Sequence, residues 1–201
     1  MYSDLKRSLY IRILQPIVKE IKMLIKIKSI FILLIFVCAA SDIVAQEALK
    51  PRLSPLEIVT VKYEATYIKI TYGRPHKKGR TIFGELVPYG EVWRTGANEA
   101  TEITLTKDVI INKQRLKAGT YTIFTIPEKD KWKVIFNSEL GQWGAYNYNP
   151  DKNVLVIDAD VTVIDVTYEP FTIEFQLQDD KTNVLMMWDR TKASFTINFL
   201  D

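Results

Sequence analysis

The sequence predicts an all-β fold, an antiparallel β-sandwich or barrel-like sheet, with jelly-roll and Ig-like topologies both left open. Three observations carry this. From Ile58 onward, runs rich in β-branched and aromatic residues recur at short spacing, separated by polar turns. Phe171, Ile173, Phe175 and Leu177 alternate with Thr172, Glu174, Gln176 and Gln178, the period of a half-buried strand. After residue 45, no stretch repeats its apolar residues at convincing helical spacing.

Taken in order, Ile58 to Tyr72 (IVTVKYEATYIKITY) holds two short strands. Thr101 to Thr106 forms another, with Ile103 and Leu105 on one face and Glu102, Thr104 and Thr106 on the other. Val109 to Ile111, Thr120 to Ile126 and Trp132 to Phe136 follow, the last two joined by a turn over Glu128 to Lys131 after Pro127. Val154 to Ile157 and Val161 to Val166 read as strands broken at Asp158 and Asp160. Asp179 to Asn183 supplies turn chemistry, Val184 to Trp188 returns, and Asp189 to Lys192 turns again into Phe195, Ile197 and Phe199. Residues 46–56, with two prolines, are an extended lead-in to a single β domain over 57–201. Gly73 to Asn98 and Asn137 to Asn153 interrupt the strand rhythm. Long irregular segments on a β scaffold are where ligand sites sit.

Residues 1–45 read as an N-terminal extension and signal peptide. Lys26 and Lys28 precede the apolar stretch Ile30 to Ala40, and Ala45 offers a small-residue exit. The apolar run is 11 residues, short for a bilayer span. Met23 opens a signal of ordinary size. Cleavage after Ala45 is the preferred reading, with loss of Cys38. Lipid anchoring at Cys38 is the lesser alternative, because Val37 precedes it where lipidation prefers a small residue. The expectation is therefore an exported protein, periplasmic or extracellular. The whole chain carries 27 basic and 24 acidic residues, a net charge of +3. Residues 1–45 contribute a net of +4, which leaves −1 for residues 46–201. The basic balance belongs to the leader, and nothing in the rest argues for nucleic acid.

One cysteine in the chain excludes a disulfide framework and a cysteine-rich zinc site. One histidine excludes metal centres built on several imidazoles. No metal and no cofactor are expected, and no phosphate-cradling glycine loop or Rossmann fingerprint is present. Serine hydrolase chemistry is also set aside. Past the leader the serines are Ser54, Ser138 and Ser194, and no Gly-x-Ser-x-Gly elbow surrounds them.

The densest chemistry lies between Tyr72 and Thr101 (YGRPHKKGRTIFGELVPYGEVWRTGANEAT). Tyr72-Gly-Arg-Pro75, Gly79-Arg80, Ile82-Phe-Gly84 and Trp93-Arg-Thr-Gly-Ala-Asn-Glu-Ala-Thr101, with Ala118-Gly-Thr-Tyr121, Pro127 and Trp132 beyond, form a recognisable set. Through roughly residues 53–165 the chain resembles an exported bacterial domain-of-unknown-function family, the one numbered 2911. The resemblance implies export and a β-rich domain. It implies no activity and carries over no catalytic residue.

On their own chemistry, Arg74 and Arg80 could hold an anionic group with guanidinium forks, or pair with nearby acids. Lys77 and Lys78 read as a solvated face. His76 is the one imidazole able to act as a base near neutrality. Arg94, Asn98 and Glu99 read as the polar members of a ligand pocket, with Trp93 as an apolar wall. Against this stands a tight turn in which Gly96 takes an unusual backbone angle, Arg94 pairs with Glu99 and Trp93 plugs the core. Glu99 also stands with Glu64, Glu85, Glu91 and Glu102 as a candidate for paired-carboxylate hydrolysis. Asp158 and Asp160 share a strand face, which suits weak Ca²⁺ binding or a solvated edge. Trp143, Tyr146 and Tyr148 suit either stacking on a sugar or packing under their loop. The reading that gathers most of this is a non-catalytic binding or accessory module for a small polar, anionic or carbohydrate ligand at Arg74, His76, Arg80, Trp93, Arg94, Asn98 and Glu99. Its alternatives are a hydrolase using Glu99 with His76 or a second carboxylate, and a structural or interaction protein.

Overall fold

The computed structural model describes residue 15, residues 17–32 and residues 51–200. The chain divides into two units, one ending at Pro51 and one beginning at Arg52. In the first, residues 17–32 are helical with their side chains exposed, and they include Lys26, Lys28 and the first residues of the apolar run. No helix among the described residues is long and apolar enough to cross a membrane. Val37, Cys38 and Ala45 lie outside the described residues, and with them the expected cleavage and anchoring positions.

The second unit is all β, one open antiparallel sheet of nine strands. These are β1 (Leu56–Tyr63), β2 (Thr66–Gly73), β3 (Thr101–Leu105), β4 (Val109–Ile111), β5 (Gln114–Leu116), β6 (Gly119–Ile126), β7 (Lys131–Asn137), β8 (Asn153–Gln178) and β9 (Lys181–Phe199). Their order across the sheet is β1-β2-β3-β6-β7-β8-β9-β4-β5. The alternation predicted for β3 holds, with Ile103 and Leu105 inward, and β2 buries Ile68, Ile70 and Tyr72 in the same way. β5 is not foreseen by the sequence patterning. It closes on β4 through Asn112 and Lys113, both in left-handed backbone (φ 48° and 64°). That is the geometry of a tight hairpin turn usually signalled by glycine at the second position, and here a lysine hides it. Asp108 secures the same hairpin by accepting from the Ala118 N–H (2.7 Å) and Arg115 Nε (2.7 Å).

Two expected breaks are in fact continuous strand. Asp158 and Asp160 lie on β8 with Leu155, Ile157 and Ala159 buried between and beside them, so the aspartates take the solvent face and interrupt nothing. No group of acidic, histidine or cysteine residues fit to hold a metal occurs among the described residues. On β9, Asp189 to Lys192 is not a turn. The strand runs through it, and Asp189 adopts φ 55°. Before this point Val184, Met186 and Trp188 are buried, and after it Ala193, Phe195, Ile197 and Phe199. The positions that join the main core change from even to odd (Met187, also buried, is outside that core), so one irregular residue is required to keep both halves facing it.

The same region bends the β8–β9 ribbon. Between the pairs Val163↔Thr191 and Thr172↔Met187, nine steps along β8 are matched by four along β9. Extra residues on one strand bend and twist a ladder. The far end of the ribbon returns over the sheet, where Phe199 N–H donates to Asp180 O (2.8 Å) and Thr196 Oγ1 to Asn183 Oδ1 (2.7 Å). On its other side Phe171 N–H donates to Pro75 O (2.8 Å) and Lys77 N–H to Glu169 O (2.7 Å). One core fills the space so enclosed. Strands distant in the sheet order meet in it: Tyr63 of β1 stacks on Phe199 of β9 at 4.8 Å, and Tyr72 of β2 meets Phe171 of β8 edge-on at 5.7 Å. Burial raises the Tyr72 hydroxyl above its ordinary pKa, while the N–H of Ile173 that it accepts opposes the shift.

Asp108 provides a pH test. The Ala118 N–H, then Arg115, hold its carboxyl below the ordinary range. A depressed folded-state value means that its contribution is complete above the unfolded value, about pH 4, and is lost as pH falls through the lowered one. Asp108→Asn is expected to flatten the decline of stability below about pH 4, read by urea denaturation at stepped pH. An unchanged profile would show that this carboxylate contributes nothing.

Candidate functional site

The site lies where the loop over the outer side of β3, β6 and β7 meets the start of β1 and the end of β2. There a second, smaller apolar cluster of Ala100, Phe124 and Ile135 is covered by Val92, Ile126, Ala145 and Tyr148. Two irregular segments meet over it, residues 93–101 and the loop 138–152. Ala100 N–H donates to Gln142 O (2.8 Å), Gly144 N–H donates to Asn98 O (3.0 Å), and Glu99 and Trp143 form a one-residue antiparallel bridge between these contacts.

The 93–101 string is anchored from both sides. Trp93 is a core residue, packed against Phe171, Trp188, Trp132 and Phe83 with ring centroids 5.0–6.1 Å away, and its Nε1 donates to Gly96 O (3.1 Å). Ala97 N–H donates to Gly73 O (3.1 Å). This crossing is possible because neither glycine carries a Cβ. One built on Gly73 would lie 1.9 Å from Ala97 O, and one on Gly96 2.8 Å from Gly73 O. Gly96 therefore serves close approach. The left-handed positions expected of it fall instead on Thr95 (φ 57°) and Asn98 (φ 65°). A β-branched residue there is strained. Thr95 is held by Thr125 Oγ1 (3.1 Å) and by Thr101 Oγ1, which donates to its carbonyl (2.7 Å).

The residues singled out in the sequence are distributed as follows. Arg74 lies between Glu57 (3.4 Å) and Thr172 (3.3 Å) with its Nε buried and unpartnered. His76 bridges to Pro170, and Arg80 returns to its own loop, donating to the carbonyls of Lys77 (2.9 Å) and His76 (2.6 Å). Lys77 is paired with Asp189 (2.6 Å). Asn98 Nδ2 donates to Ser54 O (3.3 Å) and Glu99 pairs with Arg52 (2.9 Å). Glu99 is thus not the partner of Arg94. The Arg94 Nε is buried without a hydrogen-bond partner, and desolvation lowers the guanidinium pKa, with the Tyr146 phenol acting in the opposite sense. Arg74 N–H also donates to Pro55 O (2.8 Å), so Arg74, Asn98 and Glu99 together strap the lead-in Arg52 to Leu56 onto the domain.

Glu99 lines a cavity of about 290 Å³ whose other walls include Leu56, Gly73, Glu102, Gly141 and Gln142. None of Arg74, His76, Arg80 and Arg94 lines it. Glu102 accepts from the Gly141 N–H (2.9 Å). Gln142 is 8% exposed, and neither its Nε2 nor its Oε1 has a hydrogen-bond partner. Burying an amide with neither end paired costs about 1–3 kcal/mol. Beside it Trp143 is 60% exposed and Tyr146 84% exposed, whereas Tyr148 packs edge-on against Phe124 (5.0 Å) and accepts from Asn153 Nδ2 (2.8 Å). Of the three loop aromatics, one packs on the outer cluster and two are exposed. Sequence reading did not find Gln142. A glutamine in a polar loop carries no signal of burial, which here comes from the backbone bonds to residues 98 and 100.

An all-β domain with a cavity bordered by two carboxylates and by the 138–152 loop is the class that fold and site define. The chain belongs to the family described as "Protein of unknown function (DUF2911)", which matches residues 54–197. Comparison with curated proteins and with solved structures returns no match.

The glycine crossing makes a direct prediction. Gly73→Ala is expected to cost about 3 kcal/mol or more, measured as the shift in urea midpoint at unchanged slope. A cost under about 1 kcal/mol would mean that the two segments do not cross at backbone contact.

Proposed function

We propose that this protein is an exported, non-catalytic binding module that takes a small polar ligand in the cavity of Glu99, Glu102 and Gln142. The observation that carries the reading is Gln142, a residue of the cavity lining whose amide is buried just behind the surface with both ends unpaired. A group of that kind is costly in the empty protein and finds its partners when a ligand enters. The two carboxylates add acceptors. Each already holds one donor, Arg52 on Glu99 and the Gly141 N–H on Glu102, which fixes their orientation. Export rests on the basic-then-apolar leader.

The second reading, a hydrolase, is favoured by one fact: Glu99 and Glu102 line the same cavity. His76 is absent from that lining, so this reading reduces to the two carboxylates. The two readings separate in one experiment. Under a panel of amino acids, sugars and nucleotides, the side-chain amide resonances of Gln142 are expected to shift with at least one class. That class should be recovered unchanged, in the wild type and in Glu102→Gln alike. No shift with any class would contradict the binding reading. Turnover lost in both Glu99→Gln and Glu102→Gln would favour the hydrolase.

A further inference from the structure

We infer that the ligand of the Gln142 cavity is an uncharged saccharide, one sugar ring of which enters the cavity while Trp143 offers a stacking face beside it. This inference rests on the reading of that cavity as a ligand site and names the class it takes.

Charge comes first. The nine residues lining the cavity include two carboxylates and no lysine or arginine. Arg52 pairs with Glu99 (2.9 Å), which leaves Glu102 facing an anion and no unpaired cation on the wall to attract one. The positive charges that suggested an anion in the sequence are engaged elsewhere, Arg74 toward Glu57, Lys77 toward Asp189 and Arg80 on its own loop. The donor set then narrows the choice. The Gln142 amide places one acceptor and one NH₂ donor side by side, both unused. Neighbouring ring hydroxyls, each able to donate and accept, satisfy both at once. The remaining lone pairs of Glu99 and Glu102 accept further hydroxyl protons. Leu56, Gly73 and Ala100 give the same cavity an apolar wall, which suits the C–H face of a pyranose. At about 290 Å³ the cavity is at the small end for ligand sites, room for one ring.

The aromatics supply the second observation. Trp143 follows Gln142 in sequence and is bridged to Glu99, yet it is 60% exposed. A large indole left mostly in water beside a residue of the cavity lining is apolar surface available for stacking. Tyr146, three residues on, is more exposed still.

The test uses the full chain in isothermal titration and tryptophan fluorescence. The sugar probes are glucose, galactose, mannose, N-acetylglucosamine, cellobiose and lactose, and the comparators are glycine, glycylglycine, ethanolamine and inorganic phosphate. At least one sugar is expected to bind and to change the fluorescence. Gln142→Met should weaken that sugar about tenfold or more, Trp143→Ala should remove the fluorescence change, and Arg80→Ala should leave both intact. If no sugar binds, or if a sugar binds equally well to Gln142→Met, the inference is overturned. Should glycine, glycylglycine, ethanolamine or phosphate then bind in a manner that Gln142→Met abolishes, the ligand class is wrong and the cavity reading stands. If none of them does, both fall.

Discussion

Residues 93–101 cross the end of β2 at backbone contact, and the rest of the molecule's chemistry is arranged around that crossing. Gly73 and Gly96 permit it, since a single methyl on Gly73 would overlap the Ala97 carbonyl. On the inner side of the crossing Trp93 enters a ring of four aromatic neighbours. On the outer side Asn98 and Ala100 pair with the 138–152 loop and bring Gln142 to the cavity that Glu99 lines. The strain at Thr95 is the local cost of sending one short string both ways. It is offset by the burial of Trp93, since a large aromatic fully removed from water contributes about 3 kcal/mol.

The strands were legible where a single face is buried. Ile103 and Leu105 on β3, or the Phe171 to Leu177 alternation on β8, carry the period in their own side chains. Continuity was not legible, because aspartates at outward positions look the same in sequence as aspartates in turns. Asp158 and Asp160 leave the buried set undisturbed, whereas Asp189 changes its parity. Only the register of the partner strand distinguishes these cases. The bend that folds the β8–β9 ribbon back over the sheet arises from that register mismatch, and no turn signature announces it.

The site was legible in part for a related reason. Sequence located the segment, Trp93 to Thr101, and named Glu99 within it, but gave the charged groups too large a share. Arg74, Asn98 and Glu99 hold the lead-in in place, so much of the polar density near Gly73 is fastening. Among the residues lining the cavity, the one with unmet hydrogen-bonding capacity is a neutral glutamine from a loop some 40 residues further on. Polar residues that look functional in sequence are conspicuous for charge, whereas an unsatisfied amide is conspicuous only once its burial is known.

An amide retained without partners in a buried wall makes the empty protein less stable than it need be, the pattern expected where a residue serves binding at the expense of folding. Equilibrium urea denaturation of ligand-free Gln142→Met, which keeps the length of the side chain and removes its polar ends, tests this most directly. A gain of about 1 kcal/mol over the wild type is expected. A loss of similar size would contradict it, since the amide would then be part of what holds the fold together.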